Sequence, residues 1–351
     1  MNAFSLRRLF GCLAATACLG SAALHAGEPD RAVLVLTSSN SASGNQVLAF
    51  RLDGTSLSLS QSLPTGGLGG AGGNAGILQF KDDLGAVANF GSGTVSRIGR
   101  YGDLVGLAGT VKLASGCVKP DSVALAGGHL YIVGATCAET HQWPFGALEG
   151  NVVHLADASS AQIVVGRSWA AVTQTSGSVL RLPLQHGGAL SGTSAPLTLP
   201  ETANDTPLGA AFWGDVLGFN PAHSADSFAI ANAAGSVFPV PGPTPAFPSN
   251  APCWLTKGPG NIWYSGNSPG HAISIFFSDA QGGAFYKSVP LPGVPTDVTV
   301  SDDGKWFAVI YSSGGNGYVA LFSVDRQGDL TAVATSSPVG VASFSGVAIS
   351  D

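Results

Sequence analysis

Short apolar runs alternate with polar breaks along most of the chain, and one hairpin pattern recurs. "VANFGSGTVSRI" (87–98) has an apolar run, a break at Gly91–Gly93 and a second alternating run. "VTQTSGSVLRLPL" (172–184), "AIANAAGSVFPV" (229–240), "YSGNSPGHAISIFF" (264–277) and "VIYSSGGNGYVALFSV" (309–324) echo it. Alternation bounded by Gly, Asn and Ser predicts strands joined by tight turns. Marking the second run of each unit at Val47, Val95, about Gln142, Val179, Val237, Ile273 and Val319 gives separations of 36 to 58 residues. Repeats of about 40–50 residues with several short strands each predict a β-propeller of four-stranded blades. A single blade cannot bury its own faces, whereas seven packed around an axis can.

The last unit shows the blade most clearly. "TDVTVSDDG" (296–304) reads as an inner strand and its turn, followed by "KWFAVIYSS" (305–313), "GYVALFSV" (317–324) and "DLTAVATSS" (329–337). Beyond it "ASFSGVAIS" (342–350) is one strand with no blade of its own, while "AVLVLTSS" (32–39) has second-strand character with no inner strand before it. Pairing the two closes the ring and removes the exposed edges of an open sheet. The expected fold class is therefore all-β: a seven-bladed propeller over residues 27–351, closed by its C-terminal strand. Two stretches resist the pattern. The strand limits in 137–161 stay open, and "ETANDTPLGAAFWGD" (201–215) reads as a long connection, either of the functional or mobile kind or a tolerant surface loop that has drifted.

Composition narrows the picture. Charged residues are only 10% of the chain, too few for long solvated helices. Residues 1–26 read as an export signal: Arg7 and Arg8, an apolar stretch from Leu9 to Leu19, then small residues with cleavage ends at "SAA" or "LHA". Cys18 is a candidate lipid-anchor position. Removing this leader takes two of the 15 basic residues and leaves 13 against 21 acids, a formal charge of −8. That balance disfavours nucleic acid and anionic membrane surfaces as partners, and no later segment is long enough to span a bilayer. A periplasmic or secreted protein is expected, with a small-molecule ligand or a protein of the envelope as its partner.

"LPTGGLGGAGG" (63–73), the "VANFGSGTVSRI"-type hairpins, "SGCVKPDSVAL" (115–125) and "PCWL" (252–255) resemble the lactonase-like seven-bladed propeller family. That family includes sugar-phosphate lactonases and carboxymuconate-cyclising enzymes. The resemblance covers roughly residues 32–350 and implies the same fold, with hydrolysis or cyclisation of a small lactone or sugar acid. The Gly-Pro-Arg-His stretch of the cytosolic sugar-phosphate lactonases is absent, so no catalytic residue carries over by position. A non-catalytic propeller that binds a ligand or partner is the alternative.

By analogy of architecture, ligands gather at the channel mouth, where fourth strands lead into the next inner strand. Reading those connections selects Asn74, Asp205, Asp215 and Asp297 as binding residues, with Glu139 in the loop region of blade 3. Lactone opening needs an activated water, a stabiliser for the oxyanion and a proton donor. His141 with Glu139 or Asp121 is a candidate base, and Lys119 a candidate for stabilising negative charge. Asp297 also reads as a turn cap or a tie between blades. Neither HExxH nor CxxC occurs, and the acidic pairs in "KDDLG" and "SDDGK" belong to turns. No metal and no cofactor is expected. Cys117 precedes an inner strand and Cys137 follows the second strand of the same blade, which predicts a disulfide between them; Cys253 stays free.

Overall fold

The computed structural model describes residues 31–200, 204–223, 228–232, 234–240, 252–340 and 344–351. The leader expected over residues 1–26, with Cys18, lies outside them. Seven four-stranded antiparallel sheets form the propeller. Blade 1 combines β1 (Leu34–Ser38), β2 (Gln46–Asp53) and β3 (Ser56–Pro64) with the last strand, β28 (Ser345–Ser350). Blade 2 holds β4 (Leu78–Lys81), β5 (Leu84–Asn89), β6 (Thr94–Tyr101) and β7 (Leu104–Lys112). Blade 3 holds β8 (Pro120–Ala126), β9 (His129–Gly134), β10 (Cys137–Gln142) and β11 (Leu148–His154). Blade 4 runs β12 (Ser160–Val165), β13 (Trp169–Gln174), β14 (Ser178–Pro183) and β15 (Ala195–Pro196). Blade 5 runs β16 (Pro207–Trp213), β17 (Val216–Pro221), β18 (Phe228–Ala231) and β19 (Val237–Val240). Blade 6 comprises β20 (Pro252–Lys257), β21 (Ile262–Asn267), β22 (Ala272–Ser278) and β23 (Gly283–Pro290). Blade 7 comprises β24 (Val294–Val300), β25 (Trp306–Ser313), β26 (Asn316–Val324) and β27 (Leu330–Thr335).

Second strands are covered on both faces by neighbouring blades, so they read as unbroken apolar runs such as "AVAN" and "FAVIY". Outer strands are half solvated and alternate, as in β3. Aromatic pairs carry the core across blades: Tyr264 of blade 6 meets Phe307 of blade 7 at 5.0 Å, and Phe228 of blade 5 meets Phe276 of blade 6 at 4.8 Å.

Closure takes the expected form. Leu34, Val35, Leu36 and Thr37 pair with Ser350, Ile349, Ala348 and Val347. Arg100, on β6 and 4% exposed, clamps the junction. Its Nη1 donates to the Ser350 carbonyl (2.6 Å) and hydroxyl (2.9 Å), and its Nη2 to the Ala32 carbonyl (2.5 Å).

Two expectations change. "PLGAAFW" inside the supposed long connection of residues 201–215 is β16, the inner strand of blade 5. Gly209 hides it: a Cβ there would lie 2.5 Å from the Cys253 carbonyl oxygen, so close contact with β20 excludes the side chain that would mark a strand. The hairpin at 229–240 is consequently β18–β19, a third-to-fourth-strand turn, and the third strand of blade 3 begins at Cys137 rather than near Gln142. Measured between true third strands, the repeat tightens to separations of 41 to 50 residues.

Candidate functional site

Inner strands start at the upper face, which also carries the loops between second and third strands; the turns between first and second strands lie at the lower face. Six of the seven inner strands shift register at their upper ends. Such bulges re-aim side chains next to functional sites. Four of them follow a proline, at Pro120, Pro207, Pro252 and Pro295. The recurring Pro at the start of four inner strands, in "KPDSVAL", "TPLGAAF", "APCWLTK" and "VPTDVTV", is the sequence signal that marks this part of the ring.

The bulges build a narrow throat, and the segment Asn74–Ile77 closes it. Asn74 Nδ2 donates to the Asp121 carbonyl (2.5 Å), and the Ala75 N–H reaches the Ala161 carbonyl of blade 4 (3.1 Å). The Gly76 carbonyl accepts from the Val123 N–H (2.9 Å) and the Ser122 hydroxyl (3.2 Å). Gly76 has φ +69°, and a Cβ would lie 2.9 Å from Ser122 Oγ and 3.1 Å from Gln162 Nε2. Only glycine fits this crossing.

Two carboxyls flank the plug. Asp121 is the extra residue of the β8 bulge and accepts from the Ser160 hydroxyl at 2.8 Å. Burial pushes it up to about 7, against the smaller downward effects of the Ser160 hydrogen bond and the Lys119 charge. Lys119 is exposed, has φ +52° and sits 5.6 Å from the Phe90 ring. Asp297, on β24, is also pushed up to about 7 by burial, although the N–H groups of Val298, Gly76 and Gly346 all donate to it. It therefore ties blade 7 to blades 2 and 1.

The other expected residues separate. Glu139 and His141 are not in a loop: both lie on β10 and are buried, 1% and 2% exposed. His141 Nε2 meets Glu139 Oε1 at 2.9 Å, its Nδ1 donates to the Gly146 carbonyl, and Glu139 Oε2 accepts the Ala114 N–H. The pair joins blade 3 to the connection from blade 2. Strand β10 is continuous through both because its residues pair with β9 throughout. Asp215 stands on the lower face, in the β16–β17 turn, where it accepts from the Ser168 N–H and hydroxyl at 2.9 Å; the hidden strand β16 had inverted its expected position. Asp205 is on the upper face and exposed, 3.3 Å from Nδ1 of His223, a neighbour that sequence reasoning did not select. The Cys117–Cys137 disulfide is present, with Cα atoms 5.5 Å apart. Glu139 lies within 4.8 Å of both sulfurs, but these are bonded to each other and the trio acts as a covalent and polar tie. Cys253 is free.

Below the plug the axial channel opens into a cavity of about 330 Å³. Its wall runs from Gly76, Gln162 and Asp297 down to Phe212, Lys257 and Asp302. The inner strands are sheet edges, so their unpaired backbone groups make the wall polar.

No protein-family model matches the chain, and no curated protein matches it in sequence. Solved structures do match. The periplasmic gluconolactonase of Pseudomonas aeruginosa superposes with a TM-score of 0.66 at 15% identity, covering 92% of this chain and 99% of that one. The fold is that of the lactonase-like propellers. A protein from Lactobacillus plantarum gives 0.65 at 15% identity, with the same coverage of both chains. Virginiamycin B lyase of Staphylococcus aureus gives 0.56 at 13% identity over 79% of this chain and 94% of that one. At these identities the likeness concerns the fold alone.

Proposed function

We propose that the protein is a lactone hydrolase of the bacterial envelope, a single propeller of residues 27–351 exported by the leader of residues 1–26. The observation that carries this reading is the Asp121 carboxyl, pinned by Ser160 at the upper throat and tuned to about 7 by burial. A general base works best when its pKa lies near the working pH. In the proposed reaction Asp121 takes a proton from a water whose oxygen forms a bond to the lactone carbonyl carbon. Lys119 stabilises the resulting oxyanion. Collapse breaks the ring C–O bond, and Asp121 returns the proton to the departing ring oxygen, giving a hydroxy acid. The disulfide and the periplasmic gluconolactonase among the structural neighbours support the envelope location.

The experiment is turnover of a panel of five- and six-membered lactones by the mature chain. Asp121→Asn is expected to lower kcat by about 10²–10⁴-fold with the fold retained, and Lys119→Met by less. Activity of the native protein should rise with pH through about 7 as Asp121 loses its proton. Turnover unchanged in Asp121→Asn would remove this reading. A non-catalytic binding propeller then becomes the better account, and the burial of His141 away from the throat is the observation that favours it.

A further inference from the structure

The cavity beneath the plug is lined by residues other than Asp121 and Lys119, and its chemistry differs. Lys257, the last residue of β20, lines it together with Gln79, Gln162, Thr256 and Thr299. The Lys257 ammonium donates to the Gly258 carbonyl (2.6 Å) and the Gly260 carbonyl (2.5 Å), leaving a third N–H. It stands 5.6 Å from the Trp213 ring and 5.5 Å from the Trp263 ring. Among the described residues no carboxylate forms an ion pair with it. Folding has partly buried a cation without supplying its counter-ion, and burial lowers its pKa to about 8. The two acids of the same cavity do not fill that role: Asp297 binds three N–H groups at the closed end, and Asp302 faces Lys81 and Asp82 at the other. The side chains of Gln79 and Thr256 make no hydrogen bond to the described residues, and Gln162 Oε1 takes the Ala210 N–H while its amide nitrogen stays available.

We infer that the axial cavity binds a small hydroxylated carboxylate that enters from the lower face. Its carboxylate meets Lys257, and its hydroxyls meet Gln79, Gln162, Thr256 and the free edges of the inner strands. The volume lies at the small end of the range for small-molecule sites. This site does not depend on the lactonase reading, because neither Asp121 nor Lys119 is among the residues that line it.

Titration of the mature chain with D-gluconate, followed by tryptophan emission and calorimetry, tests the inference. Saturable binding is expected to perturb Trp213 and Trp263, and D-glucitol, which has hydroxyls but no carboxylate, should bind at least about tenfold more weakly. Lys257→Met should weaken gluconate by about tenfold or more, whereas Asp121→Asn should leave the affinity unchanged. If Lys257→Met does not fold, the double variant Gln79→Leu/Thr256→Val should lose affinity with the lysine in place. No saturable signal, equal binding of glucitol, or full affinity in these variants would overturn the site. Loss of turnover in Asp121→Asn with gluconate binding intact would separate the two proposals.

Discussion

Asp121 and Asp297 both stand at the bulged upper ends of inner strands, β8 and β24, one register position apart: Asp121 is the extra residue of its bulge, and Asp297 is the first paired residue after its own. Burial pushes both up to about 7. Their partners differ. Asp297 receives three backbone N–H groups from three blades, so its acceptor capacity is taken up by the ring itself. Asp121 receives one serine hydroxyl and has an exposed lysine two residues away in the chain. The pair teaches that a perturbed pKa alone does not separate a structural carboxyl from a reactive one. The number of fixed donors around it is the difference on which the proposed role of Asp121 rests.

The largest expected effect is on stability against pH, which both groups share. A carboxyl raised from 3.8 to about 7 binds its proton more tightly in the folded state. Below the unfolded value both states are protonated and nothing is lost. Between about pH 4 and 7 the folded protein holds protons that the unfolded chain releases, so stability falls as pH rises, by on the order of 4 kcal/mol per group. Above 7 that contribution is flat. Denaturant unfolding from pH 4 to 8 measures it, and Asp297→Asn and Asp121→Asn should each flatten the slope. Equal slopes in wild type and both variants would break the comparison at its root.

The second effect separates the two carboxyls. Asp297→Ala leaves three buried N–H groups without an acceptor and should cost roughly 3 kcal/mol, whereas Asp121→Ala, which strands one hydroxyl, should cost about 1. Ser160 keeps a second acceptor, the Gly134 carbonyl at 3.0 Å, which is why the smaller figure applies. The two urea midpoints measured side by side decide it.

The parts that were readable in the sequence share one property: each follows from a repeated or local pattern. The closing strand, the blade 7 strands and the Cys117–Cys137 bridge all come from strand order and turn position. What escaped was set by contacts across the ring. Gly209 erased the signal of β16 because the Cys253–Leu255 backbone stands where its side chain would be, and this misplaced Asp215. His141 has the composition of a loop around it, "THQWPFG", yet its strand pairs fully with β9. The plug at Asn74–Ile77 bonds residues 161 and 297 and packs against Gly346, and no local pattern encodes such partners. Arg100 is equally silent, since its targets are at the two ends of the propeller.

The disulfide gives the third effect. It closes a loop of sequence separation 20 and joins the approach to β8 to the start of β10. Cys117→Ser/Cys137→Ser should cost about 3 kcal/mol. Because Cys117 lies four residues before Asp121, the double variant should also loosen the mouth on that side, lowering turnover while gluconate binding below the plug stays intact.

The smallest effect is the sharpest test of what makes Asp121 different. Ser160→Ala removes the one side-chain hydrogen bond to its carboxylate, the bond that favours the charged form. With burial left unopposed except by Lys119, the carboxyl should rise further, and the acidic limb of the rate–pH profile should move to higher pH by a fraction of a unit up to about one unit. Stability should change by only about 1 kcal/mol. At high pH, where Asp121 is ionised in either protein, the two rates should converge. A rate loss that persists at high pH would mean that Ser160 touches the substrate, and that hydrogen-bond count alone does not explain the contrast with Asp297.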